Sequence, residues 1–215
     1  MFRSLFAFIR FYLFWLLFFA ITRAVFLIYF QHKLDGVTAA EFLETFVYGL
    51  RMDASATAYL AIVPLIVFFI NWFTGNKPVN PIWFKAYTWL FLFLISFIAI
   101  IDLGIFTEWG AKVNFRAFET LYIAPAESMS STASTPIALN ISIGIFLILS
   151  GVVLSHFILD HSYKRPPIVT TKNKAILTVL IIIINFIILR GSLQPEPIDQ
   201  SAGYFSDKQI LDLAA

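Results

Sequence analysis

Five stretches of this chain, residues 11–30, 54–73, 86–106, 137–159 and 175–189, are apolar over most of their length. A helix needs about 20 apolar residues to cross a bilayer, with about 17 as the lower limit. The first four stretches meet that length, and the fifth meets it only if the stems of Lys174 and Arg190 extend it by snorkelling to the two interfaces. With 60% hydrophobic and only 13% charged residues, the composition leaves no room for the usual solvated surface. The expected fold is therefore an all-α membrane protein with five transmembrane helices, residues 1–190 forming one membrane domain and residues 191–215 a linker.

The first apolar stretch follows Arg3 and Arg10, as in a signal peptide. Its apolar run exceeds the 7–15 residues of a cleaved signal, and no small-residue cleavage site follows, so it reads as an uncleaved anchor. Five crossings put the N-terminus, residues 74–85 and residues 160–174 on one side. That side holds eight basic residues and one acid, whereas the other holds six basic and eleven acidic, with Arg23 and Asp102 inside spans. Basic residues in short loops mark the cytoplasmic side, so the N-terminus is expected inside and the C-terminus outside.

The outer connections carry helical patterns of their own. Thr38 and Glu41 have the spacing of a capping box, and Phe42, Phe46 and Leu50 follow on one face. Phe115, Phe118, Leu121 and Tyr122 share a face opposite Lys112, Arg116 and Glu119. Both patterns predict amphipathic helices lying in the outer interface, the first ending before a new helix that Asp53 would cap. Near the C-terminus, Ser206 and Gln209 repeat the capping spacing ahead of Ile210, Leu211 and Leu213. Two turns are too few to hold in water, so this short helix should form only by docking, with its apolar face toward the membrane surface.

Charged groups within spans are costly and mark candidate sites. Arg23, Asp53, Asp102 and Arg190 all fall toward the outer ends of their spans, and Arg51, Glu108 and Arg116 flank them. These seven residues form the candidate polar site, either as an ion pair between Arg23 and Asp102 that ties spans together or as a pocket for a lipid headgroup. Asn140 is a further polar group near the outer end of the fourth span. Gly151 and Ser155 permit close helix approach, and Pro64 is a potential kink.

Other chemistries lack their signatures. The hydroxyl-rich "AESMSSTASTP" has no neighbouring histidine and no nucleophile elbow, and reads as a solvated loop. His156 and His161 lie on different helical faces, and the chain has no cysteine, so no catalytic residue and no metal ligand is assigned. Phosphate-binding and dinucleotide motifs are missing, as is an aromatic-basic surface for nucleic acid.

Three polar islands add a resemblance. "GLRMDASATAYLAIVP" at 49–64, "DLGIFTEWGAKVNFRAFETL" at 102–121 and "ILRGSLQPEPIDQSAGYFSDKQILDLAA" at 188–215 resemble the N-terminal membrane domain of the lipoteichoic acid synthase family, and more narrowly its sulfatase-like phosphoglycerol transferase relatives in Gram-negative bacteria. The resemblance implies five spans in the bacterial inner membrane, a linker helix, and then an extracytoplasmic catalytic domain of the alkaline phosphatase superfamily. In the family that domain carries a threonine nucleophile and a divalent metal, usually manganese, and takes phosphoglycerol or a similar group from a phospholipid. No residue here matches those catalytic motifs, so the chain is expected to anchor and to present membrane phospholipid without catalysing anything itself. The competing expectation is a small transporter or channel with Arg23 and Asp102 lining its path, although no inverted repeat supports it.

Overall fold

The computed structural model describes residues 2–74, 80–113, 119, 122–123, 136–163, 171–191, 205–206 and 208–215. Among them the regular structure is entirely helical: α1 (Phe2–Tyr29), a single 3-10 turn (Gln31–Lys33), α2 (Ala39–Phe73), α3 (Pro81–Trp109), α4 (Ile137–Tyr163), α5 (Thr171–Arg190) and α6 (Gln209–Ala214). Helices α1 to α4 are each long and apolar enough to cross a membrane. The apolar part of α5, Ala175–Arg190, is shorter.

Helix α1 is the hub. One face puts Phe14, Trp15 and Phe18 against Leu92 of α3 and Leu159 of α4, all essentially without exposure. A second face places Tyr12 beside Ala58 and Ala61 of α2, where small residues let the backbones approach closely. Helix α5 packs along α2, with Leu177 and Ile181 against Leu65, Phe68 and Phe69. The levels of these contacts show α1, α3 and α5 running one way and α2 and α4 the other, so that α6 sits at the end where α1 and α3 finish.

Sequence chemistry sets the helix ends. Thr38 caps α2 reciprocally with Glu41, whose carboxylate accepts the Thr38 N–H at 2.7 Å. Asn80 caps α3 ahead of Pro81, which has no N–H to lose at that position. At the other end of α3, Gly110 takes a left-handed conformation (φ 65°), which glycine adopts without steric cost.

Three expectations need correction. The stretch 38–50 is not a separate interfacial helix but the first turns of the unbroken α2, so Asp53 lies mid-helix and caps nothing. A break before residue 54 is unnecessary because Asp53 and Arg51 both find partners on neighbouring elements. Ser206 does not cap the last helix. Lys208 holds that position, the Ser206 hydroxyl accepts the Lys208 N–H at 3.1 Å, and the Asp212 carboxylate accepts the N–H groups of Phe205 and Ser206 at 2.8 Å. The apolar side of α6 also turns away from the membrane surface: Ile210, Leu211 and Leu213 are buried against Phe26, Leu27, Phe30, Leu103 and Phe106. Most of the second amphipathic stretch, including Arg116, and the linker prolines at 195 and 197 lie outside the described residues.

Candidate functional site: a charged cavity roofed by the last helix

Arg23 is one turn and a half below the end of α1 and only 8% exposed. A buried guanidinium must spend its donors, and Arg23 does so on three partners. Nη1 and Nη2 donate to the two oxygens of Asp53 at 2.8 and 3.0 Å. Nε donates to the main-chain oxygen of Ala214 at 2.6 Å, and Nη2 also donates to that of Ala215 at 2.9 Å. Arg23 thus serves as the cap of α6, satisfying oxygens that a helix C-terminus leaves open and placing a cation at the negative end of its dipole.

The close approach depends on Gly49 of α2. A Cβ there would overlap the guanidinium and the Ala215 oxygen. Further contacts fix α6 in place: Phe205 stacks on Tyr48 at 4.6 Å, and the Lys208 ammonium donates to the Asp35 carbonyl.

Asp102 is not the partner of Arg23, contrary to the pairing expected from depth alone. Its Oδ1 accepts the Val113 N–H at 2.8 Å, which folds residues 110–113 back over the end of α3. That turn delivers Lys112, which sequence reasoning assigned to the polar face of a surface helix. Lys112 instead points inward, its ammonium 5.1 Å from the centre of the Phe26 ring. Enclosure pushes the Lys112 ammonium below the ordinary lysine range, while the nearby Asp102 carboxylate pulls it back up. Lys112 and Asp102 are both half-buried.

Arg23, Asp53, Asp102, Lys112, Thr22 and Ala214 line a single cavity of about 220 Å³. From Phe73 to Asp53 helix α2 climbs about 30 Å, the thickness of a bilayer's hydrocarbon core. A crossing that begins at Phe73 therefore ends at the level of the cavity.

The other candidate residues that the structure describes fall outside this cavity. Arg51 is exposed and donates from Nε to the Gly191 carbonyl at 2.6 Å, which with Ser55 on Leu189 O at 2.6 Å ties α2 to the end of α5. Glu108 is exposed near the end of α3, and Arg190 closes α5 half-buried. Asn140 is buried on α4, and its Oδ1 has no partner among the described residues. A second polar clasp had no sequence signal beyond a lone Asn in an isoleucine run: Tyr12 donates to Asn185 at 2.7 Å, joining α1 to α5. Among the described residues no group of three or more His, Asp or Glu side chains gathers to hold a metal ion.

No protein-family model, curated protein or solved structure matches the chain.

Proposed function

We propose that this chain is a membrane-anchoring domain that receives a phospholipid headgroup in the charged cavity and presents it beside α6. The observation that carries this is the cavity itself, a space of about 220 Å³ lined by two cationic and two anionic side chains, Arg23, Lys112, Asp53 and Asp102. A structural ion pair would need Arg23 and Asp53 only.

In this reading α5 is the fifth crossing, shortened because its end is held at the level of Arg51 and Ser55. The excess of basic residues in the N-terminus and in residues 74–85 and 160–174 supports an N-terminus in the cytoplasm and α6 on the outer face of a bacterial inner membrane. The resemblance to the phosphoglycerol transferase relatives of lipoteichoic acid synthase supplies the partner, an extracytoplasmic catalytic domain, and with it the divalent metal. The chain described here is non-catalytic by itself. A transport path is disfavoured because Phe14, Trp15, Phe18, Leu92 and Leu159 fill the bundle between the cavity and the opposite end.

Native mass spectrometry of the protein released from mild detergent tests the proposal. One retained phospholipid per chain is expected, and filling the cavity with Ala99→Phe or Leu147→Trp should remove it. A wild-type protein that carries no lipid, or filled variants that keep it with unchanged stoichiometry, would overturn the reading.

A further inference from the structure

At the end of the bundle away from the charged cavity, a groove runs between α3 and α4. Nearer the cavity the two helices touch closely: a Cβ on Gly144 would overlap Ile100, and one on Gly151 would overlap Leu92. One turn beyond Leu92 and Gly151 come Thr88 and Ser155, both buried, whose hydroxyls donate to Phe84 O and Val152 O of their own helices at 2.8 Å. Short side chains at this level leave a space of about 470 Å³, within the range of about 300–1,000 Å³ usual for small-molecule sites. Trp89, 51% exposed, and Phe157, 74% exposed, line it, so the groove opens sideways toward lipid.

Lys85 and His156 also line the groove, each within one turn of the end of its apolar span, Ile82–Trp109 or Ile137–Leu159. They mark its headgroup end. Trp89 and Val153, each about one turn deeper, mark its apolar part. This end of the protein holds eight basic residues and one acid. Lys85 and His156 have interactions within the protein as well, so the net charge of this end, rather than a vacant atom, supplies the attraction for an anion. Pockets between spans that are basic at the rim and apolar below suit anionic headgroups. We propose that the groove holds one anionic phospholipid of the adjoining leaflet, cytoplasmic in the orientation proposed above, with its phosphate beside Lys85 and an acyl chain along Trp89 and Val153. The groove and the charged cavity share no lining residue, so either is occupied independently of the other. Being open to the bilayer, the groove exchanges its lipid in detergent, unlike a site enclosed by α6.

Quenching of tryptophan fluorescence by brominated lipids reads the groove, because Trp89 lines it and the difference between the wild type and Trp89→Phe isolates that residue. The protein is reconstituted in bilayers of phosphatidylcholine and phosphatidylglycerol in varied proportion, with bromine on the acyl chains of one lipid at a time. Phosphatidylglycerol should be preferred at Trp89 by about fivefold, the equivalent of about 1 kcal/mol for one lysine at a charged membrane surface. Lys85→Gln should bring the ratio to about one, whereas Lys85→Arg should keep the preference. Soluble glycerol 3-phosphate, which has the charge without the chains, should not change it. Equal quenching by the two lipids in the wild type, or a preference unchanged in Lys85→Gln, would overturn the inference. Quenching of Trp89 by neither lipid would mean that a second copy or another segment of the chain covers the groove, and would overturn it too. Loss of the preference on adding glycerol 3-phosphate would replace the lipid by a free phosphate. Filling the charged cavity with Ala99→Phe should leave the Trp89 preference as it is, so failure at one site is distinguished from failure at the other.

Discussion

The two ends of the bundle are held by different forces. Toward the α1 N-terminus, Phe14, Trp15, Phe18, Leu92 and Leu159 interlock without exposure, and Gly151 lets Leu92 and Phe18 close over α4. Lipid tails are as apolar as these side chains, so burial from water drives little here and contact geometry carries the packing. At the other end one guanidinium joins three elements through directional hydrogen bonds. The packed end tolerates substitutions of similar shape, whereas the charged end depends on particular atoms. The proposed headgroup site lies at the charged end, where Arg23, Asp53, Asp102 and Lys112 line a cavity of about 220 Å³.

Arg23→Ala should have the largest effect. It leaves Asp53, whose side chain is 12% exposed, without its partner, and breaking a buried pair from one side costs about 3–5 kcal/mol. A double-mutant cycle on detergent unfolding should show strong coupling between Arg23 and Asp53 and weaker coupling between Arg23 and Asp102. Equal coupling to both carboxylates would erase the distinction between paired and ligand-facing acids.

Leu92→Ala at the packed end should cost about 2 kcal/mol, the lower part of the range for core leucines, because the cavity term survives in lipid while the transfer term largely does not. Its effect should be confined to unfolding, with lipid binding at the distant cavity unchanged; loss of bound lipid would show that the two ends are not independent.

Tyr12→Phe should have the smallest effect, about 0.6 kcal/mol, typical of hydrogen bonds between membrane helices. A loss several times larger would make the Asn185 clasp, rather than shape, the main tie of α5.

Much of this contrast is legible in the sequence, and the remainder is missed for definite reasons. Apolar length announces the long helices, and the Thr38–Glu41 spacing announces the start of α2. The cost of burying charge singles out Arg23, Asp53 and Asp102. Which acid Arg23 takes is not legible, because both lie at a similar depth and the choice depends on how each helix is rotated about its axis. The unbroken course of α2 is hidden for a related reason: Arg51 and Asp53 resemble a helix start until their partners, Gly191 and Arg23, are known. Lys112 is missed because Gly110 reverses the chain, so helical periodicity does not continue through it. The burial of α6 follows from Arg23 again, since a two-turn helix needs its open oxygens satisfied before it can sit inside a bundle.

Hydrogen exchange of residues 209–215 in lipid nanodiscs tests most directly whether Arg23 holds the roof of the cavity. In the wild type the amides of Leu211 and Ala215, which bond to Lys208 O and Leu211 O at 2.9 Å, should exchange nearly as slowly as the core of α1. Arg23→Gln, and separately Gly49→Leu, should release them to rates close to those of an unstructured peptide while α1 to α4 stay protected. Fast exchange of these amides in the wild type, or protection that survives both substitutions, would contradict the account.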